Sequence, residues 1–139
     1  MNRTTLKYEL DLNFVLLAIT AALKDYRICF KINRQLRLNL ARINDIELMF
    51  NADEKPFYFS RYYCKQNHTE TEFNLIANKG SEGFLVPEMK TVDFFILIQN
   101  YIDKDELKQI IIGLNGIQDV QVAVEVDPKK LKSKENLIL

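Results

Sequence analysis

The chain has few of the residues that build small chemical sites. Its 139 residues include four glycines, two cysteines and one histidine. Gly80 and Gly83 are not followed by Lys-Ser or Lys-Thr, so no phosphate-binding loop is predicted. Cys29 and Cys64 form no Cys-x-x-Cys pair, and no Ser or Cys arrangement accompanies His68 for a triad or a zinc site. The sequence therefore predicts neither a metal site nor a cofactor.

An excess of one charge and a long apolar run are also missing. Lys plus Arg and Asp plus Glu both number 19, so the net charge is zero. A neutral chain lacks the overall basic field of a dedicated nucleic-acid binder, although this leaves room for a local basic patch. No apolar run approaches the ~20 residues of a membrane span, and residues 1–5 do not begin a signal peptide. We expect a cytoplasmic protein with reduced thiols and no membrane association.

The apolar residues that are present suffice for one core. Hydrophobic residues make up 47% of the chain and charged residues 27%, which is typical of a globular protein. We predict a single α+β domain over residues 1–127. Pro128 ends it, and the lysines of residues 128–139 leave about +3 on a tail that we predict to be flexible and basic.

Apolar periodicity predicts two strand–helix–strand halves. The predicted elements of the first half are a strand, a helix and a strand over residues 6–12, 14–24 and 26–32. The second half has a strand from Val92, a helix that begins after Asp103, and a valine-rich strand that ends at Val126. Asp103 and Glu106 have the spacing of a capping box. Residues 33–50 fit neither a helix nor a strand clearly enough to be assigned.

An aromatic hairpin separates the two halves. Residues 57–64 and 72–77 have strand composition, and the polar residues between them predict a turn. Two strand–helix–strand halves with such an insert predict a ferredoxin-like α+β sandwich. It would have a mostly antiparallel sheet, two helices on one face and an inserted β-hairpin. This fold hosts many functions, so it favours none of them.

The entrance of the strand that starts at Val92 carries a short motif. This strand is apolar on both faces, which is typical of a central strand. The motif resembles the signature of the bacterial IPExxxVDY family, with Val in place of its Ile and Phe in place of its Tyr, which removes a hydroxyl. That family has no assigned activity, cofactor or catalytic residues, so the resemblance implies none here. The residues at the fixed positions of the signature are Val86, Pro87, Glu88, Val92, Asp93 and Phe94.

Two sets of residues are candidates for a site. Glu88 and Asp93 can bind a cation or a basic partner, or act as acid and base. The structural alternative is that Glu88 accepts backbone amides or pairs with an arginine, while Asp93 fixes the strand entrance. Tyr58, Arg61 and Tyr62 can form a stacking platform for single-stranded RNA. The alternative for these aromatic residues is core and cross-strand packing.

The function that the sequence favours is a non-enzymatic binding or adaptor module that contacts a protein partner. A homodimer is expected, because the predicted first helix is apolar nearly all round, the hairpin is rich in aromatic residues, and we do not expect one core of this size to cover both. The first alternative is an RNA-associated accessory protein that uses the aromatic strand and the basic tail. The second is an enzyme that uses Glu88 and Asp93.

Overall fold

A computed structural model describes residues 12–49 and 55–139. Six strands and two α-helices follow one another in the order β1-α1-β2-β3-β4-β5-α2-β6. Their bounds are β1 Val15–Thr20, α1 Asp25–Leu36, β2 Ala41–Leu48, β3 Phe57–Lys65, β4 Glu72–Ala77, β5 Phe94–Gln99, α2 Lys104–Asn115 and β6 Val122–Val126. The strands form one sheet in the order β2-β3-β4-β5-β1-β6, and every neighbouring pair is antiparallel. The predicted α+β class with an antiparallel sheet is confirmed.

The two helices pack on one face of this sheet. Buried residues of α1 and α2, such as Ile28, Ile32 and Leu114, form one cluster with alternate strand residues. On the opposite face, Leu85 and Leu137 belong to a second cluster. The segment before β5 and the segment after β6 cover this face of the sheet. The central strands β1 and β5 therefore have a layer on each side, which explains why they are apolar on both faces.

The second half and the hairpin have the predicted elements. Strands β3 and β4 pair in register from Lys65 with Glu72 to Arg61 with Ile76. Helix α2 begins after Asp103, whose side chain accepts a hydrogen bond from the Asp105 amide. The reciprocal half of the capping box is not formed, because the Glu106 carboxylate accepts a hydrogen bond from Gln66 at 2.6 Å instead.

The first half was predicted with its elements exchanged. Residues 15–20 form strand β1, where a helix was predicted, and residues 25–36 form helix α1, where a strand was predicted. Five of the six residues of β1 are apolar, and they occupy both faces because the strand lies in the middle of the sheet between β5 and β6. Buried helices share this all-round apolar pattern. The predicted strand 6–12 lies, apart from Leu12, outside the described residues. Strand β2 occupies part of the unassigned segment 33–50.

The apparent alternation in α1 comes from two separate pairs of residues. Ile28 and Ile32 are four positions apart and fully buried, as one face of a helix requires. Tyr26 and Phe30 are also four positions apart, but they are 61% and 62% exposed. Interleaving of the two pairs imitates the period of a strand. The consequence is an exposed aromatic pair on a surface helix.

The C-terminal strap, residues 128–139, packs against the second face of the sheet rather than forming the predicted flexible tail. It contains two 3₁₀-helices, Pro128–Lys130 and Lys134–Leu137. Leu131 and Leu137 are buried in the second cluster. The side-chain amide of Asn136 donates to the Leu85 carbonyl at 2.8 Å. Apolar residues placed between the lysines therefore order this segment.

Candidate functional site

The signature loop, residues 86–93, is a tight turn that leads into β5. The 3₁₀-helix Pro87–Met89 opens it, and the Met89 amide donates to the Val86 carbonyl at 3.0 Å. A proline is well tolerated at this first position, because its missing N–H would have no partner there. Val86 and Val92 are buried and anchor the two ends. The strand itself begins at Phe94, so Pro87 lies in a turn before the predicted strand entrance.

Asn78 holds the signature loop in place. Its side chain is fully buried, and its Oδ1 atom accepts a hydrogen bond from the Val86 amide at 2.8 Å. Its Nδ2 atom donates to the carbonyls of Met89 at 2.9 Å and of Val92 at 2.8 Å. Backbone groups that a loop would otherwise leave buried and unpaired are satisfied in this way. No pattern in the sequence distinguishes this residue.

Asp93 fixes the entrance of β5 against the end of β1. Its Oδ2 atom accepts a hydrogen bond from the Ala21 amide at 2.7 Å, and its own amide donates to the Ile19 carbonyl at 2.9 Å. This is the structural role that the sequence left open as an alternative. Phe94, which stands at the tyrosine position of the signature, is buried in the core beneath the helices.

Glu88 connects the signature loop to the C-terminal strap. Its two carboxylate oxygens accept hydrogen bonds from the Ser133 hydroxyl at 2.7 Å and the Ser133 amide at 2.9 Å. Partial desolvation of the Glu88 carboxylate opposes its ionisation, but hydrogen bonds from Ser133 and from the backbone amides of Glu88 and Lys132 together outweigh it and lower the pKa of the carboxyl below its usual value. Glu88 is thus engaged with a backbone amide, again as in the structural alternative.

The two carboxylates of the signature do not form an acid–base pair. Asp93 and Phe94 line an open depression of about 440 Å³ near the start of α1, and Glu88 is not part of its wall. Asp93 bonds to the residue after β1, whereas Glu88 bonds to the C-terminal strap. Because each carboxylate has a structural partner of its own, the arrangement favours architecture over catalysis.

The contact between Glu88 and Ser133 predicts a pH-dependent contribution to stability. A carboxyl whose pKa is lowered in the folded state stabilises it above the unfolded pKa, and this contribution is lost as the pH falls through the folded pKa. We expect Ser133→Ala to lower the free energy of unfolding by less than about 1 kcal/mol at pH 7, because the contact is exposed. The difference from wild type should shrink at pH 3. Urea unfolding at both pH values measures it, and a difference that grows on acidification would contradict the assignment.

The aromatic strand β3 does not present Tyr58, Arg61 and Tyr62 on one face, as a stacking platform for RNA would require. Tyr62 is buried on the helix side of the sheet, where the Arg42 guanidinium lies 5.6 Å from its ring centroid. Arg61 points to the opposite face, because successive strand residues alternate, and donates two hydrogen bonds to Asn74. Tyr58 is exposed but shares a face with Tyr62 rather than with Arg61. The three candidate residues are therefore not brought together.

Within the described residues, the two cysteines and the histidine form neither a reactive-thiol site nor a metal site. Burial raises the pKa of Cys29 to about 11 and also raises the pKa of Cys64, so both thiols are protonated at neutral pH. His68 is exposed in the turn between β3 and β4. In the described part of the chain, no group of three or more His, Cys, Asp and Glu residues could hold a metal ion.

The structure identifies a surface that the sequence analysis missed, the basic–aromatic face of α1. It consists of Tyr26, Arg27, Phe30 and Arg34, all exposed. Neither arginine has an ion-pair partner within residues 12–49 and 55–139, whereas the neighbouring Lys31 pairs with Asp119 at 2.9 Å. Tyr26, Phe30 and Arg34 follow one another at four-residue steps, which places them in one row along the helix.

This face belongs to the most basic part of the chain. Residues 24–42 contain six basic residues and one acidic residue, a net charge of +5 in a chain whose total is zero. Asp25, the single acidic residue, pairs with Arg42 at 3.6 Å. A local charge count would have shown this excess, but the total charge concealed it. The helix therefore presents aromatic and positively charged groups together.

Comparison of the chain with protein-family models and with curated proteins found no match. The resemblance to the IPExxxVDY signature therefore stays a prediction. Among the described residues, no helix is long and apolar enough to cross a membrane.

Proposed function

We propose that the protein is a non-enzymatic binding module that contacts a protein partner through the basic–aromatic face of α1. The observation that carries the proposal is that Tyr26 and Phe30 are 61% and 62% exposed in one row of a helix. They lie beside two arginines that pair with no carboxylate in the described part of the chain. Aromatic residues and arginine are enriched in the cores of protein interfaces and among the residues that dominate binding energy. The proposal needs no cofactor, and we place the module in the cytoplasm.

Association with RNA is the second candidate. The same face offers two aromatic rings and two guanidinium groups, which are the groups that stack on bases and contact phosphates. It is a convex helix surface, however, and not a groove that could follow a nucleic-acid backbone. The aromatic strand adds nothing to it, since Arg61 and Tyr62 lie on opposite faces of the sheet. The protein partner is therefore the better supported proposal.

The expected homodimer has lost part of its basis. One of the two features behind it, the apolar segment predicted as a helix, is β1, which the sheet itself buries. The other, the aromatic hairpin, forms β3 and β4 of the same sheet. Pairing at the free edge of β6 is hindered, because the Asn115 side chain both donates to the Ala123 carbonyl and accepts from the Ala123 amide, each at 2.9 Å. A dimer remains a proposal that needs another surface, such as the edge strand β2. The molar mass of the protein, measured by light scattering, distinguishes a monomer from a dimer.

The ferredoxin-like description also stays a proposal. It is supported by the strand order, since omission of β3 and β4 leaves β2-β5-β1-β6 with one helix in each half. The hairpin would then be inserted between β2 and β5 both in the chain and in the sheet. An enzyme that uses Glu88 and Asp93 is the least supported reading, because both carboxylates hold the fold together.

Site-specific photo-crosslinking tests the proposed function. A photoreactive phenylalanine analogue in place of Phe30 should give a discrete protein adduct in extract of the source cells. The same analogue in place of Tyr101, which is 73% exposed and far along the chain, serves as the control. The adduct at position 30 should disappear when Arg27 and Arg34 are both replaced by glutamate. Absence of an adduct at position 30, or the same adducts at both positions, would overturn the proposal.

A further inference from the structure

We infer that the partner contributes an acidic amphipathic helix, with two carboxylates seven positions apart on either side of a large apolar side chain. This inference rests on the proposed function and names the chemistry of its partner. The observation behind it is the spacing of charges and rings on α1. Phe30 lies between Arg27 and Arg34 in the sequence, three positions after the first and four positions before the second.

The helical geometry converts this spacing into a distance. Seven residues at a rise of 1.5 Å per residue separate the Cα atoms of Arg27 and Arg34 by about 10.5 Å along the axis, nearly two turns. Residues three, four and seven positions apart lie on the same side of a helix. The two guanidinium groups therefore flank the exposed Phe30 ring. Tyr26 extends the apolar surface by one further turn toward the start of the helix.

The complementary surface follows from this pattern. Arginine binds carboxylates through two parallel hydrogen bonds, which favours Asp or Glu at both ends of the contact. A large apolar side chain between them would cover the Phe30 ring. A second helix whose axis lies the usual 8–10 Å from that of α1 can present two carboxylates and the apolar side chain between them, if the carboxylates are also seven positions apart. Of the other cations in residues 24–42, Lys31 and Arg42 already have carboxylate partners within the chain. Lys24 and Arg37 stand at the two caps of α1, outside the stretch from Arg27 to Arg34.

A second copy of this chain does not fit the same face. In a two-fold dimer each face meets itself, so Arg27 and Arg34 of one copy would approach the same arginines of the other. Like charges brought together at an interface oppose association. Charge complementarity therefore favours an acidic partner over self-association through α1.

Synthetic peptides test the inference directly. The probe is an 18-residue alanine- and glutamine-based helix with two glutamates seven positions apart and a leucine between them. The matched control peptide has lysines in place of the two glutamates. By fluorescence anisotropy, the glutamate peptide should bind the full-length protein in low salt, and the lysine peptide should bind at least about tenfold more weakly.

Protein variants complete the test. We expect binding of the glutamate peptide to weaken about tenfold or more in Phe30→Ala and in the double variant Arg27→Glu, Arg34→Glu. The double variant should now prefer the lysine peptide. The double variant Lys129→Glu, Lys130→Glu has the same charge change on exposed residues of the C-terminal strap and should bind as wild type. Unaltered circular dichroism establishes that each variant is folded, since all the replaced side chains are exposed.

Three outcomes would overturn the inference. The first is equal binding of the two peptides, and the second is no binding of either. The third is tighter binding of a single-stranded oligonucleotide that depends on Phe30, Arg27 and Arg34, which would make RNA the partner. An adduct at position 30 in the crosslinking experiment together with failure of the glutamate peptide would reject the partner chemistry alone. Failure of the crosslinking experiment would reject the proposed function itself.

Discussion

Replacement of Asn78 by aspartate is expected to lower the free energy of unfolding by about 4 kcal/mol. The Nδ2 atom of Asn78 donates to two buried carbonyls, those of Met89 and Val92. An aspartate has no donor there at neutral pH, so both carbonyls lose their partner and face a carboxylate oxygen instead. Each unsatisfied buried group costs about 1–3 kcal/mol, and the burial of a charge adds to it. The shape of the side chain is unchanged, so cavity formation does not contribute.

Urea unfolding at pH 7 measures this effect. The matched control is Asn67→Asp, the same substitution in an exposed turn, where we expect a change within about 0.5 kcal/mol. A loss of stability in Asn78→Asp that is no greater than in the control would show that the signature loop does not depend on this side chain. A large loss would mean that Asn78, which lies outside the loop and eight positions before Val86, holds the loop in place.

This dependence on Asn78 shows why the motif alone was a poor guide to function. The sequence placed two carboxylates at the entrance of a central strand, and the strand is indeed central, between β4 and β1. The partners of the carboxylates, Ala21 and Ser133, lie 72 and 45 positions away. Contacts at such separations leave no periodic pattern in a single sequence, so the choice between catalysis and architecture required the fold.

Elements with a clear period and a clear boundary could be predicted from the sequence. Strands β3, β4 and β5 and helix α2 were predicted because alternation, apolar runs and the Asp103 cap all indicated the same element. In the first half the signals conflicted. β1 has the alanine and leucine content of a helix, and its burial between two strands overrides that preference. In α1, the exposed Tyr26 and Phe30 completed a false alternation with the buried isoleucines.

The same misassignment concealed the candidate surface. In a strand, Tyr26, Ile28, Phe30 and Ile32 would all share one buried face, which leaves nothing to explain. In a helix, Ile28 and Ile32 alone fill the core face, and the two aromatic residues remain outside without a structural reason. For β3 the strand period was itself sufficient, since an odd separation already places Arg61 on the face opposite Tyr58 and Tyr62.

Replacement of Leu137 by alanine is expected to lower the free energy of unfolding by about 3 kcal/mol. Leu137 is 1% exposed and packs in the second apolar cluster against the sheet. Truncation of a buried leucine removes its transfer free energy and leaves a cavity, which together cost about 2–5 kcal/mol. The value expected here is in the lower half of that range, because a terminal segment can partly close over the space. Thermal or urea unfolding of the variant measures the loss.

The neighbouring residue supplies the control for this variant. Ile138 is 42% exposed, and Ile138→Ala should change the free energy of unfolding by less than about 1 kcal/mol. If residues 128–139 formed a flexible tail, neither Leu137 nor Ile138 would contribute to the free energy of unfolding. Equal and small effects of the two substitutions would therefore contradict the packing of the strap. If the predicted difference is found, burial of apolar residues holds the C-terminal strap. The exposed hydrogen bonds between Glu88 and Ser133 would then only set the position of the strap over the signature loop. Such hydrogen bonds contribute less to the free energy of unfolding than one buried leucine.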